Sequence, residues 1–182
     1  MEIPSNGRFV QPDVVSGHFH LREGDRVADF GAGGGFFLSA FSQSVGGSGR
    51  VYALDIQRGL VERLGEIARE KGLTNIEPIW CDLEADGGTK LADGVLDAGV
   101  LINTLFQIED KTTALREIAR TIRSGGKFIV IDWTQSFAGI GPQSSQVVTE
   151  SAARDMVEAA GFSFERSFPT GEYHYGLAFR KA

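Results

Sequence analysis

Three aspartates, Asp29, Asp55 and Asp82, stand at or near the ends of apolar runs in this chain. The first leads into a glycine-rich stretch, Asp29-Phe30-Gly31-Ala32-Gly33-Gly34-Gly35-Phe36. Glycines without Cβ atoms let a backbone approach a nucleotide-like ligand closely. The dinucleotide fingerprint G-x-G-x-x-G would place its third glycine at position 36, which is Phe36. That fingerprint cradles a pyrophosphate on a helix N-terminus, and a carboxylate beside the loop opposes such an anion. Asp29 instead suits a ligand carrying positive charge, such as an ammonium with a sulfonium. Asp55 ends the second apolar run, where a carboxylate can accept both hydroxyls of a ribose in a charge-assisted pair. It can also brace the start of the following helix, and the two roles are compatible.

The pattern Asp29-x-Gly31-x-Gly33-x-Gly35 resembles the first motif of the class I S-adenosylmethionine-dependent methyltransferases. The resemblance extends from about Gly24 to the C-terminus. It implies S-adenosyl-L-methionine as cofactor, S-adenosyl-L-homocysteine as product, and methyl transfer by in-line displacement. It also implies a role for each position of the site. Gly31, Ala32, Gly33 and Gly35 form the cofactor loop. Asp29 bears on the amino-acid end of the ligand through a loop amide or a water, or else only stiffens the loop. Ile56 packs on one adenine face, Asp82 accepts from the adenine amino group, and the Leu83 amide donates to the ring. Leu101 and Ile102 offer backbone carbonyls to the ammonium, and Asn103 lies near the sulfonium.

Positioning these groups requires alternating strands and helices, hence a mostly parallel sheet with helices on both faces. The patterns predict strands over Arg26–Phe30, Arg50–Asp55, Asn75–Cys81, Val95–Ile102 and Lys127–Trp133. They predict helices over Gly35–Val45, 57–71 and 111–123, with Gly72 as a C-cap. A last helix runs from a Thr149 N-cap to Ala160. Phe162–Phe168 and His174–Arg180 read as strands joined through Pro169-Thr170-Gly171-Glu172. The expected fold is one doubly wound, seven-stranded α/β sheet ending in an antiparallel hairpin. The expected organisation is a single domain over 1–182, with 1–22 as a lead-in or lid and 23–182 as the core. Cys81 is expected to be a buried core thiol.

Methyl transfer from a sulfonium needs no acid, because a neutral thioether leaves; the enzyme chiefly holds the acceptor in line. A base helps only an acceptor that begins protonated. The candidates on the acceptor side are Asn103, His174 and Tyr175, with Tyr173 and Trp133 as possible pocket walls. His174 is a candidate base, though these aromatics can equally be ordinary strand packing. Asp132 ends the fifth strand on the same face. Asn103-Thr104-Leu105-Phe106 departs from the Asn/Asp-Pro-Pro-aromatic motif of amino-group nucleic-acid methyltransferases. Ile122-Arg123-Ser124-Gly125-Gly126 has Ser where the family often has Pro, and its glycines keep the turn. The lead-in Val10–Val15 is similar to that of protein isoaspartyl and transfer-RNA adenosine methyltransferases. Asp97–Gly126 looks more like small-molecule enzymes of the quinone-biosynthesis and arsenite type. Arsenite chemistry uses several cysteines, and this chain has one, Cys81.

A single cysteine also excludes an intramolecular disulfide and a four-cysteine metal site. His18-x-His20 lacks a clear third ligand, so no metal is expected, and the two histidines with Phe9 and Phe19 are expected to pack a lid. A net charge of −6 over 182 residues argues against a sequence-independent grip on nucleic acid without forbidding a small basic patch. No signal peptide or membrane span is expected, which points to the cytoplasm. The acceptor expected is a small molecule or a protein side chain, with RNA behind. A nicotinamide-dependent oxidoreductase and a non-catalytic protein that binds the cofactor are the rival readings.

Overall fold

The computed structural model describes residues 10–136 and 141–182. Phe9 therefore lies outside the described residues. Seven strands form one sheet in the order β3-β2-β1-β4-β5-β7-β6. They are β1 Arg26–Phe30, β2 Arg50–Asp55, β3 Ile76–Trp80, β4 Leu96–Ile102, β5 Ile122–Trp133, β6 Phe162–Phe168 and β7 His174–Lys181. The first five run parallel; β7 is antiparallel to both β5 and β6. This is the mostly parallel sheet with a C-terminal antiparallel hairpin expected from the sequence. The helices are α1 Pro12–Val15, α2 Leu38–Val45, α3 Arg58–Glu70, α4 Lys111–Thr121 and α5 Glu150–Ala159.

The alternation along each strand divides the core. Val27, Val51, Val100 and Ile129 face one side and pack with Val15, Phe19, Phe37 and Phe41 from the first two helices and their flanks. Ala53 on the same side meets Leu38 and Leu64 of α2 and α3. Phe30, Leu101, Phe128, Val130 and Phe179 face the other side and pack against Leu115 and Ile118 of α4 and Val157 of α5. Helices thus cover both faces, as a buried parallel sheet requires. Among the described residues, no helix is long and apolar enough to cross a membrane.

Strand β3 is one residue shorter at each end than expected, β4 starts one residue later, β5 starts at Ile122 instead of Lys127, and two helix boundaries differ for local reasons. Helix α2 begins at Leu38, not Gly35, because Gly31, Gly33 and Gly35 hold left-handed φ values of 79°, 52° and 73°. Such backbone cannot continue a right-handed helix, so the glycine loop persists to Phe37. Helix α4 ends at Thr121, not 123, because Ile122 is already extended and pairs with Leu96. The register then shifts before Lys127 pairs with Ala98. Gly126 sits in this bulge, where an added Cβ would lie 2.6 Å from the Ile122 side chain.

Other local signals act as read. Thr149 Oγ1 accepts from the Ala152 amide at 3.3 Å, capping α5. Gly72 takes φ 65° after α3. Phe19 is fully buried, and the His18 ring stacks on Phe168 at 5.1 Å. His18 and Phe19 thus pack against the body of the protein, whereas His20 is exposed.

Candidate active site

The carboxyl ends of β1, β2 and β4 and the loops that follow surround a cavity of about 930 Å³. Asp29, Asp55 and Asp82 all line it, with Gly31, Ala32, Gly33, Ile56, Leu83 and Asn103. Trp133 and His174 line it farther along the sheet, from the adjoining ends of β5 and β7.

The glycine loop is tied down at several points. The amides of Gly31 and Ala32 both donate to the Leu54 carbonyl, at 2.9 and 2.8 Å. The Gly33 amide donates to Asp55 Oδ2 at 2.9 Å, and the Gln57 amide donates to Asp55 Oδ1 at 2.9 Å. One carboxylate therefore braces the loop and the start of α3 together. A carboxylate offers about four acceptor positions, so two remain for ligand hydroxyls. Gly31 leaves no room for a side chain, since an added Cβ would fall 2.6 Å from Thr104.

Asp29 is 4% exposed. Burial, reinforced by the nearby Asp55 charge, pushes its carboxyl up to about 7. A cationic group in the cavity opposes both effects and favours the ionised form. Asp82 Oδ1 accepts from the Glu84 amide at 2.9 Å, which shapes the turn after β3. Cys81 is buried, as expected, and burial together with Asp55 and Asp82 pushes its thiol up to about 12.

Behind Ile56, the Trp80 indole N–H donates to the Ile56 carbonyl at 2.7 Å. Arg58 lies 4.3 Å and Lys90 4.5 Å from the Trp80 ring, both in cation–π geometry. Ile56 itself is 57% exposed at the cavity rim.

Asn103 has left-handed backbone, φ 54°, and its buried Oδ1 has no hydrogen-bond partner among the described residues. Its amide donates to the Ile131 carbonyl at 2.8 Å, and its carbonyl accepts from Gln107 Nε2 at 2.8 Å. These two bonds fix the Asn103 backbone at the cavity lining.

Other predicted residues fall elsewhere. Gly35 does not line the cavity; a Cβ there would meet Leu38 and Leu64 at 2.9 Å, so it serves packing under the loop. Leu101 is fully buried on the α4–α5 face and is likewise outside the lining. Tyr175 is 5% exposed and packs in the same cluster, so it does not reach the cavity. Burial and the Asp132 charge raise its phenol well above the ordinary range. Asp132 also turns inward, at 1% exposure, and accepts from the Phe106 amide at 3.3 Å and the Trp133 amide at 2.8 Å. It braces the loop after β4 rather than facing a ligand. Burial pushes its carboxyl up to about 6 against those two bonds. His174 is 6% exposed, and burial pulls its imidazole down to about 4.

Lining residues that motif reading missed are Val10, Phe36, Phe37, Gln57, Leu60, Glu84, Thr104, Gln107 and Ile108. Most sit one to five residues beyond a strand end, where any parallel sheet places its ligands.

The glycine loop with its three strand-end carboxylates is the arrangement of the class I, Rossmann-like methyltransferases. The chain matches the family described as methyltransferase domain over residues 21–161 and belongs to it. Its cofactor is S-adenosylmethionine. Curated relatives include the ubiquinone/menaquinone biosynthesis C-methyltransferase UbiE of Klebsiella pneumoniae, 30% identical over 116 residues. That match covers 63% of this chain and 45% of the relative. The enzyme of the same name from Francisella philomiragia is 30% identical over 131 residues, 71% of this chain and 50% of the relative. The chain spans about half the length of the curated relatives it matches. A crystal structure of an S-adenosylmethionine-dependent methyltransferase from Aquifex aeolicus superposes with a TM-score of 0.89 at 28% identity. It covers 99% of this chain and 94% of that one.

Proposed function

We propose that this chain transfers a methyl group from S-adenosylmethionine to a small organic acceptor held in the same cavity. The observation that carries this reading is the continuity of that cavity. One end is a glycine loop with three carboxylates, and the other is an apolar wall at Trp133. When bound, S-adenosylmethionine supplies a methyl group on an electrophilic sulfonium.

Asp55 would hold the ribose hydroxyls with the acceptor positions that Gly33 and Gln57 leave free. Asp82 and the Leu83 amide would take the adenine edge, with Ile56 against its face. Asp29 would favour the cationic amino-acid end. Asn103 Oδ1 would accept a hydrogen bond from that end or from the acceptor. The apolar end would exclude water and hold the acceptor in line with the methyl. Support for a small acceptor comes from the relatives, whose names describe C-methylation in quinone biosynthesis.

Methyl-labelled S-adenosylmethionine, incubated with the protein and a fractionated cell extract, tests this reading. Label in extractable metabolites is the expected result. Label confined to a protease-sensitive fraction would make the acceptor a protein side chain. Binding of S-adenosylhomocysteine without label transfer to any fraction would favour a non-catalytic, regulatory protein.

A further inference from the structure

At the opposite end of the sheet from the first cavity, a second cavity of about 520 Å³ opens beside the lead-in. Lys127 lines it at one end of the β5–β7 pairing, and Trp133 lines the first cavity at the other end, roughly 20 Å away at about 3.3 Å per residue. Phe19, Ile129 and Ala178, all buried, give it an apolar floor. Arg22, Lys127, Arg166 and Arg180 stand around that floor with a single carboxylate, Glu165, among the described residues. Arg180 is matched, because its Nε and Nη2 donate to Glu165 at 2.8 and 3.3 Å. Lys127 and Arg166 donate only to backbone carbonyls, those of His20 and His18. The exposed Arg22 side chain makes no hydrogen bond or ion pair among the described residues. Elsewhere Arg50, Arg63, Arg116, Arg120, Arg123 and Arg154 each reach a carboxylate. Three cations thus line one cavity without an anionic partner among the described residues, in a chain of net charge −6. Burial pulls the Lys127 ammonium below its ordinary value, the Arg22, Arg180 and Arg123 charges add to this, and Asp25 opposes it. An anion in the cavity would favour the charged form again.

We propose that this second cavity binds a small phosphorylated molecule, its phosphate held by Arg22, Lys127 and Arg166 and its organic body laid on Phe19, Ile129 and Ala178. The site is separate from the methyl-transfer site and does not depend on that reading. A phosphate monoester brings close to two negative charges and three strong acceptor oxygens, which answer three cations; a carboxylate brings one charge. Arginine forks match phosphate oxygens in pairs, and lysine adds a point charge. The cavity is concave and of the size of a small-molecule site. An extended array of phosphates, as on nucleic acid or an anionic membrane, would meet Asp25 and Glu165 beside the cations and the acidic surface of the whole chain.

The test titrates phenyl phosphate, and benzoate as its carboxylate counterpart, into the nitrogen-15-labelled full chain at fixed ionic strength. The expected result is saturable binding of phenyl phosphate, with amide shifts gathered at 18–22, Lys127 and Arg166. Benzoate should bind roughly tenfold more weakly, the loss of about one charged hydrogen bond. Arg22→Gln and Arg166→Gln should each weaken phenyl phosphate by roughly tenfold, and Arg22→Lys, which keeps the charge, should retain part of the affinity. S-adenosylhomocysteine affinity should stay within about twofold in Arg22→Gln, since the two cavities lie at opposite ends of the sheet. The exposed Arg22 carries no packing, and the wild-type comparison of the two probes decides the matter even if Arg166→Gln fails to fold. Absence of saturable binding, equal binding of the two probes, shifts centred on the glycine loop, or wild-type affinity in both Gln variants would overturn the inference. Retention on phosphatidylglycerol vesicles or on a DNA oligonucleotide without phenyl phosphate binding would overturn it too, and would give the cations to a membrane or a nucleic acid.

Discussion

The carboxylate of Asp55 accepts the Gly33 amide at 2.9 Å, so the residue expected to hold a ribose also holds the loop that approaches it. Binding and loop order are therefore coupled through one side chain. Asp55→Ala should weaken S-adenosylhomocysteine by about 1.5–3 kcal/mol, the range of charged hydrogen bonds. It should also speed amide exchange at Gly33 and Gln57. Titration calorimetry with hydrogen exchange checks both effects; unchanged affinity with faster exchange would reduce Asp55 to a loop brace.

Asp29 sets an opposing pair of pH effects. Its folded value, about 7, lies above the ordinary 3.8, so the ligand-free fold binds the proton more tightly than the unfolded chain. Its contribution to stability is largest below about 4 and declines as pH rises to about 7. Cofactor binding should strengthen over the upper part of that same range, because the cationic ligand prefers the ionised carboxylate. Asp29→Asn should remove both slopes, measured by thermal unfolding and by calorimetry from pH 5.5 to 7.5. A wild-type affinity independent of pH would sink the assignment.

Asn103 combines left-handed backbone with a buried oxygen that has no partner among the described residues. Asn103→Gly relieves both, and glycine's greater chain entropy offsets only part of the gain. The variant should be more stable by about 1 kcal/mol in chemical denaturation while losing cofactor affinity or turnover. A variant less stable than wild type would show that the oxygen is already satisfied.

Glu117 on α4 organises the segment between β3 and β4. Its carboxylate accepts from Thr89 Oγ1 at 2.6 Å, from the amides of Gly87 and Thr89 at 3.1 Å, and from Arg120. Burial raises its pKa, but those bonds outweigh burial and hold it at about 2 against an ordinary 4.5. The stabilisation is present above about 4.5 and is lost as pH falls toward 2. Glu117→Ala should cost about 3 kcal/mol at neutral pH, because it leaves the Gly87 and Thr89 amides without their acceptor and Arg120 with Asp93 as its remaining carboxylate partner. Urea titrations at pH 7 and pH 3 check this, with the cost expected to shrink at the lower pH.

The strand-end aspartates were legible because their position follows from an apolar run stopping at a carboxylate. The doubly wound sheet was legible for the same reason, since each run and each helical period occurs in turn. Tyr175 was placed near the ligand by its nearness in sequence to His174. Alternation along a strand sends adjacent residues to opposite faces, which puts Tyr175 on the α4–α5 side, whereas the role expected of Leu101 belongs to its backbone carbonyl at the end of β4 and does not depend on which way its side chain faces. Val10 carries no local signal, and Gln107 and Ile108 are marked only by following the end of β4. They reach the cavity only because a distant segment and the loop after β4 fold over it. The early end of α4 was equally hidden, since Ile122 joins the sheet through its pairing with Leu96.

Trp80 and Trp133 are the two tryptophans of the sequence, and they stand at different ends of the site. Trp80 grips the Ile56 carbonyl behind the carboxylate end, and Trp133 lines the wall beside His174. Intrinsic fluorescence is therefore a spatially resolved probe in this molecule. With Trp80→Phe and Trp133→Phe as single-emitter versions, occupancy of the two ends of the cavity can be followed separately, and on the proposed methyl-transfer reading the order in which cofactor and acceptor arrive can be timed in one stopped-flow experiment.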